Sequence, residues 1–590
     1  MNSLGRREFM YLLAALGTMP IYANSHMRLS PSGKGKLEDY YKLQPFGNAR
    51  ILHMTDSHAQ LMPVYFREPS VNIGLYGNKN VPPHIVGEYF LEYYGIKGND
   101  RLTYALTCVN FEEYAKRMGR MGGFAHIKTI VDFLRNDFGK EKTLLLDGGD
   151  TWQGSWTALQ TRGKDMVGAE NLLGVDVMTG HWEFTYTEKE VLENIKELKA
   201  DFVAQNVFVK EDALMEGAPA YDEDSGLAFK PYVIKKLGKA RVAVIGQAFP
   251  YTSIANPKRF IPDWTFGIMP DHLQQLIDEI KKKEKPDAII LISHNGFDVD
   301  KKLAQVVSGI DFIMGGHTHD GVPEAVPVKN KAGTTYVCNA GSNGKFINVL
   351  DLDIQNGKIK DFKFTLLPVF TDLVPENKEM KAYIDKVRAP YIKDLNRVVG
   401  TTDVTLFRRG NFNGSFDQII CNALREVKGA DISLSPGFRW GVSVIPGQKI
   451  TFDDLATQTA MTYPETYVKE LTGKQIHAIL EDVADNLFNP DPFYQQGGDM
   501  VRTGGISYTI DPTKKMGKRI SNIKTLDGKA LDPNKKYKVA GWSTVNSKAP
   551  GEPVWETVET YLNNVKHIKE LKVDTPEIVG IKDNKGIVKC

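Results

Sequence analysis

Cysteine is scarce. The 590 residues hold four, Cys108, Cys338, Cys421 and Cys590, widely separated and with no Cys-x-x-Cys pair. That excludes a thiolate zinc cage and argues against a disulfide framework, so each is expected to be a lone structural or free thiol. An excess of one charge is also missing. Lys and Arg number 74 against 72 Asp and Glu, a formal charge of +2, which excludes a globally basic nucleic-acid binder. No apolar run approaches the roughly 20 residues that a membrane-spanning helix needs, and no internal repeat is visible. What remains is an ordinary globular composition in a chain too long for one core, with two or three domains expected.

The start of the chain carries an address. Gly5-Arg6-Arg7-Glu8-Phe9-Met10 precedes the short apolar stretch Tyr11-Leu-Leu-Ala-Ala-Leu16, followed by Gly17 and Pro20. Twin arginines ahead of such a stretch read as a twin-arginine export signal over residues 1–25, with cleavage after Ala23 or Ser25. The mature protein is expected outside the cytoplasm, exported already folded.

Apolar runs then alternate with amphipathic stretches. Ala49–Met54, Thr143–Leu146, Asp201–Gln205, Arg241–Ile245, Asp287–Ile292 and Asp311–Met314 read as strands. Residues 122–138, 188–199, 271–284 and 299–308 read as helices. This alternation predicts a layered α/β domain over 26–375. Residues 63–120 lack strong periodicity and are rich in Tyr, Asn, Gly and Pro, so they are expected to form a long functional insertion. A polar helix at 376–396 is expected to lead to a second domain at 397–590.

Five of the 12 histidines fall in short motifs just past those strands: Thr-Asp56-Ser-His58, Gly-Gly-Asp150, Gly-His181-Trp182-Glu183-Phe184, Ser-His294-Asn-Gly and Gly-Gly-His317-Thr-His319. Asp and His are ligands for hard or borderline divalent metals, and open α/β sheets gather their sites at strand C-termini. Two ions a few ångströms apart need a bridging carboxylate and terminal ligands on each side. Asp150, in a Gly-rich turn, is the natural bridge. One ion is assigned Asp56, His58 and His319, the other His181, His294 and His317.

This ordered series resembles the calcineurin-like metallophosphoesterase superfamily, in the branch of the 5′-nucleotidases and UDP-sugar hydrolases. The resemblance covers nearly the whole mature chain. It implies an α/β/β/α layered metallophosphoesterase domain followed by a smaller α/β 5′-nucleotidase-type domain that binds substrate and closes over the metals. The third motif departs from that branch. Where the family reads Gly-Asn-His-Glu-Phe-Asp, this chain has His181 for the ligand Asn, Trp182 for the proton-donating His and Thr185 for its Asp partner. Neither Trp nor Thr shuttles a proton near neutral pH. An alkoxide needs that proton, whereas a persulfide departs as an anion.

With the twin arginines, Asp147-Gly-Gly-Asp-Thr-Trp-Gln-Gly-Ser155, Gly122-Gly-Phe-Ala-His-Ile-Lys128 and the early insertion, the chain closely resembles the Sox-system thiosulfohydrolase family. That resemblance implies a periplasmic enzyme with two Mn²⁺ ions, other divalent metals being acceptable; a monomer is expected. Its substrate would be a cysteine-S-thiosulfonate on the SoxYZ carrier protein, and its product sulfate. The alternative is a periplasmic 5′-nucleotidase-like phosphoesterase. Asp150, Trp182 and Arg439 are the expected catalytic residues, and Arg408, Arg409 and Arg439 the expected oxyanion contacts, since guanidinium forks match tetrahedral oxyanions. Gln153 and Asn206 are candidates to orient water or ligands; Phe493 and Tyr494 could stack on substrate, although packing within their turn is the favoured reading.

Overall fold

The strands form because β-branched and leucine-rich runs, flanked by Gly and Asp turns, bury both faces at once. The computed structural model describes residues 37–96, 98–546 and 548–590, so the expected export signal lies outside the described residues. Two six-stranded sheets face each other. The first runs in the order Lys358–Pro368, Phe346–Gln355, Ala49–Met54, Thr143–Asp147, Val177–Met178 and Asp201–Phe202. The second runs Val326–Asn330, Gly333–Asn339, Phe312–Gly315, Ala288–Ser293, Ala240–Gln247 and Tyr232–Leu237. Ile51, Leu144, Leu146 and Leu350 from one sheet meet Val242, Val244, Ile290, Ile292 and Met314 from the other in a shared core. Each such side chain contributes about 1.5–3 kcal/mol of burial.

Helices cover the outer faces. Phe124–Phe138 and Lys164–Leu173 pack on the first sheet through Ile127, Val131 and Val167. Pro270–Lys283 and Phe297–Val306 pack on the second through Ile277, Ile280 and Leu303. The result is the layered α/β/β/α arrangement.

Register sets the position of the site. Met54 pairs with Asp147 and Asp147 with Met178 in parallel, while Ser293 pairs with both Gln247 and Gly315. The ends of these parallel strands are therefore level, and the motif-bearing turns emerge together along one rim.

The helix Lys378–Arg388 precedes the strand Val398–Thr402, which opens the second layered unit. That unit holds a four-stranded sheet in the order Thr466–Thr472, Lys536–Trp542, Ile432–Ser435 and Arg502–Gly504. The helices Ser415–Lys428, Gly473–Phe488 and Val554–Val565 pack around it.

Two expectations need correction. Residues 63–120 are not an irregular insertion: they contain the helices Gly87–Tyr94, Asp100–Leu106 and Phe111–Met118. Each is two turns long, too short for a helical period to stand out. Within this segment, Val71, Ile73 and Leu75 enter the core of the second unit beside Leu480 and Ile476. The cysteines are also not all lone thiols. Cys108 and Cys590 form a disulfide across 482 residues of sequence, leaving Cys338 and Cys421 as buried thiols. The chain reaches that bond by a return strap, in which Asn72 N–H donates to Gly586 O (2.8 Å), Val588 N–H to Ser70 O (3.0 Å) and Val86 N–H to Lys585 O (3.1 Å).

Candidate metal centre

Past the strand ends, the chain turns sharply to aim its side chains into the rim. Asp56, His58, Asp150, His317 and His319 all adopt positive φ, between 46° and 73°. Residues with a Cβ seldom populate that region, and such strain clusters where a site over-determines it. Here hydrogen bonds between the turns enforce it. Asp56 N–H donates to Gly149 O and His58 N–H to Asp150 O, both at 2.8 Å. The Asp56 carboxylate accepts from His317 N–H at 3.0 Å through both oxygens.

Seven side chains meet there in two groups that share Asp150: Asp56, His58, Asp150 and His319, and Asp150, His181, His294 and His317. All are buried, and the ligand atoms of each group lie within 4.8 Å of one another. His58 Nε2 is 3.0 Å from His319 Nε2, His319 Nε2 is 3.2 Å from an Asp56 oxygen, and His58 Nε2 is 3.6 Å from Asp150. On the other side, His181 Nδ1 is 3.2 Å and His294 Nε2 3.0 Å from the Asp150 oxygens. These spacings suit donors around a divalent ion with bonds of roughly 2.0–2.2 Å.

The electrostatics agree. Burial holds His58 down to about 4 and depresses His181, and it takes His317 and His319 well below their ordinary value. Neutral imidazole is the form that binds metal. Buried ring nitrogens of His58 (Nδ1), His181 (Nε2), His317 (Nε2) and His319 (Nδ1) have no hydrogen-bond partner in the protein. Burial also opposes charge on His294, but Asp150 and Asp56 outweigh it and raise that histidine to about 10. Burial would raise Asp150 too, yet His181 and His294 hold it well below the carboxylate range, while burial raises Asp56. The arrangement demands positive charge between the carboxylates, and the donor set fits two divalent cations.

Glu183 organises the turns without joining either group. Its buried carboxylate accepts from the backbone N–H of Asp150 (3.1 Å), Thr151 (2.6 Å), Trp152 (3.1 Å) and His181 (2.8 Å). A second support is His294 Nδ1, 2.7 Å from Gly148 O.

Two cavities open at the centre. One, of about 220 Å³, is walled by Trp182, Phe249, Phe438 and Trp440 and floored by His58, Asp150, His181 and His319. The other, of about 260 Å³, is polar and lined by Asn72, His84, Asp298, Arg409 and Asn411; both share His317, Arg439, Gly497 and Gly498. Trp182 meets Phe438 and Trp440 edge-on, at 5.6 and 5.2 Å between ring centroids, and belongs to the apolar core of the second unit. The Thr185 hydroxyl is tied to that of Thr462 at 2.7 Å.

The expected substrate residues divide. Arg439 and Arg409 line the cavities, and Arg409 is steadied by Asp320 at 3.2 Å. Arg408 is a correction. It points into the second unit, bound to Asp417 at 2.8 Å and to Gln458 O at 2.7 Å, and lines neither cavity, because those two partners hold its guanidinium away from them. Asn206 is likewise structural, bridging Ala248 and Gly267. Gln153 donates to Ala460 O across the two units. Tyr494 is exposed and neither it nor Phe493 lines these cavities; Phe438 and Trp440, either side of Arg439, supply aromatic walls instead. The motifs give no sign of Phe249, which lies against both His317 and His181 at 4.3 and 4.1 Å, or of the Glu183 clamp.

Fold and site together define a hydrolase of the metallophosphoesterase class. The pattern of the 5′-nucleotidase C-terminal domain matches residues 398–557. The chain is similar to the protein UshA of Yersinia enterocolitica, 25% identical over 75% of this chain and 84% of that protein. It is 27% identical over 70% of its length to the trifunctional nucleotide phosphoesterase YfkN of Bacillus subtilis, of which it spans only 30%. Among solved structures, the sulfate thiohydrolase SoxB of Thermus thermophilus, in complex with glycerol, is 33% identical with a TM-score of 0.84, over 92% of this chain and 98% of that one. The chain therefore belongs to the 5′-nucleotidase family of the calcineurin-like phosphoesterase superfamily.

Proposed function

We propose that this enzyme is a thiosulfohydrolase that cleaves a cysteine-S-thiosulfonate carried on a protein of the SoxYZ kind and releases sulfate. The observation that carries the reading is the filled metal-ligand set beside a missing acid. The position that donates a proton to a leaving alkoxide in nucleotidases is Trp182, sealed against Phe438 and Trp440, and its partner position is Thr185, committed to Thr462. General-acid help is worth roughly 10²–10⁴-fold to a poor leaving group. In a thiosulfonate the bond that breaks is S–S. Water oxygen joins the sulfonate sulfur and its two protons pass to solvent, while the sulfane sulfur keeps the electron pair and departs as a persulfide anion, which needs no proton. The likeness to the Thermus SoxB protein supports the same reading.

Asp56, His58 and His319, and His181, His294 and His317, with Asp150 between them, would hold two divalent ions such as Mn²⁺. When bound, these supply Lewis acidity toward water and the sulfonate oxygens. Arg409 and Arg439 present guanidinium groups to the same oxyanion. Trp182, Phe249, Phe438 and Trp440 exclude solvent and fit an uncharged peptide segment on the leaving side.

Export to the periplasm completes the proposal. A disulfide between Cys108 and Cys590 belongs to an oxidising compartment, and no helix among the described residues is long and apolar enough to cross a membrane.

The deciding experiment presents Mn²⁺-loaded protein with carrier-bound thiosulfonate and, separately, with AMP. Sulfate release far above AMP hydrolysis is expected. Efficient AMP hydrolysis with no sulfate would establish the phosphoesterase alternative instead.

A further inference from the structure

Although every ligand in the two metal groups comes from the first unit, the second unit also reaches into the centre, and one of its loops touches a ligand histidine directly. Between Phe488 and Arg502 the chain passes Tyr494-Gln-Gln-Gly497-Gly498-Asp499, and both glycines line both cavities. The loop is anchored from each side. Tyr251 donates its hydroxyl to Phe493 O, and Lys302 pairs with Asp491, both from the first unit. Arg439 Nη2 donates to Gly498 O at 2.8 Å, and Asp499 N–H to Gly437 O at 2.9 Å.

So anchored, Gly497 abuts the His317 imidazole. A Cβ built on Gly497 would lie 1.9 Å from His317 Nε2, 2.8 Å from Cε1 and 3.0 Å from Cδ2. Two aromatic rings flank the imidazole: Phe249 lies 4.3 Å away by centroid and tilted only 31°, and His181 stands edge-on at 5.1 Å. The backbone of His317 is fixed by Asp56 on one side and capped by Arg439 Nη1 on the other.

We propose that Gly497 is a positioning residue for the metal centre: its bare Cα holds the His317 imidazole in place, so the second unit completes the site that groups His317 with Asp150, His181 and His294. This rests on the dinuclear reading of the seven ligands and adds that one ion is sensitive to a residue that never ligates it. Gly498 supplies a matched control. Its φ is 77° against 79° for Gly497, so alanine meets an unfavourable positive φ at either position. A Cβ on Gly498, however, meets nothing nearer than Gly437 O at 3.7 Å.

The test measures metal rather than turnover. Wild type, Gly497→Ala and Gly498→Ala are stripped and titrated with Mn²⁺, counting bound ions and their affinities, and the metal-free forms are compared by thermal unfolding. Wild type and Gly498→Ala are expected to take two ions. Gly497→Ala should keep one and bind the other about 10–100-fold more weakly, the usual scale for disturbing a ligand's support, with metal-free unfolding like that of Gly498→Ala. Equal metal binding in the two variants would overturn the proposal, whether both keep two ions or both lose one through strain. A wild type holding fewer than two ions would instead overturn the dinuclear reading beneath it.

Discussion

Trp182 does two things at once. It fills the place of a proton donor, and its indole is part of the apolar core of the second unit beside Trp440 and Phe416. A Trp182→His, Thr185→Asp pair rebuilds the nucleotidase dyad at the cost of that packing, about 3 kcal/mol for losing a buried aromatic ring. Under the sulfur reading it should leave turnover of the thiosulfonate conjugate unchanged or lower it, measured as sulfate released, because a persulfide gains nothing from an acid. A large gain in sulfate release would show that the reaction is limited by leaving-group protonation, and the rationale would fail. Residue identity alone carries this much: the ligand set and the missing dyad are both legible in five short motifs.

At the level of elements, the site is a set of turns clasped by Glu183. Its carboxylate gathers four N–H groups from the turns carrying Asp150 and His181, bonds that charge makes stronger than neutral ones. Glu183→Gln turns an NH₂ toward donors that need an acceptor. Its expected effect is a fall in Mn²⁺ affinity of roughly 10–100-fold and a destabilisation of about 2–3 kcal/mol, read by metal titration and denaturant unfolding. Unchanged affinity would mean that the turns hold themselves. The strands and the ligands beyond them were legible because each Asp or His follows an apolar run, and parallel register then levels the ends. Glu183's role was not, because its partners are backbone groups that leave no mark in sequence. Arg408 and Arg409 look alike as neighbours, and only their partners, Asp417 and Gln458 for one and Asp320 for the other, separate a buried ion pair from a cavity wall. The three short helices between residues 87 and 118 offer two turns each, too little for periodicity to register.

On the scale of the whole molecule, the two units are bound at several independent places. Trp182 enters the second unit's core, Ile73 does so from the insertion, Ser443 N–H bonds Tyr65 O at 2.7 Å, and the final segment returns to pair with Ser70, Asn72 and Val86 before the Cys108–Cys590 bond. No spacing rule announces a disulfide across 482 residues, which is why the cysteines read as lone thiols. Replacing both cysteines with serine should destabilise the fold by on the order of 2–5 kcal/mol. Hydrogen exchange should rise in the strap and in residues 70–86, which wall the polar cavity. Exchange that stays unchanged in both segments would show that backbone pairing holds the strap unaided. Little interdomain movement is expected while the bond is intact, so substrate must come and go through the two cavities.

The levelled strand ends have another consequence, for assembly. The seven ligands come from turns after five strands spread over both sheets, the earliest at residue 56 and the last at 319. No contiguous piece of the chain holds more than a fraction of them, and neither sheet alone brings them together. Binding of both ions would thus require both sheets stacked and all five turns closed. Uptake of the second ion would mark the end of the first unit's folding.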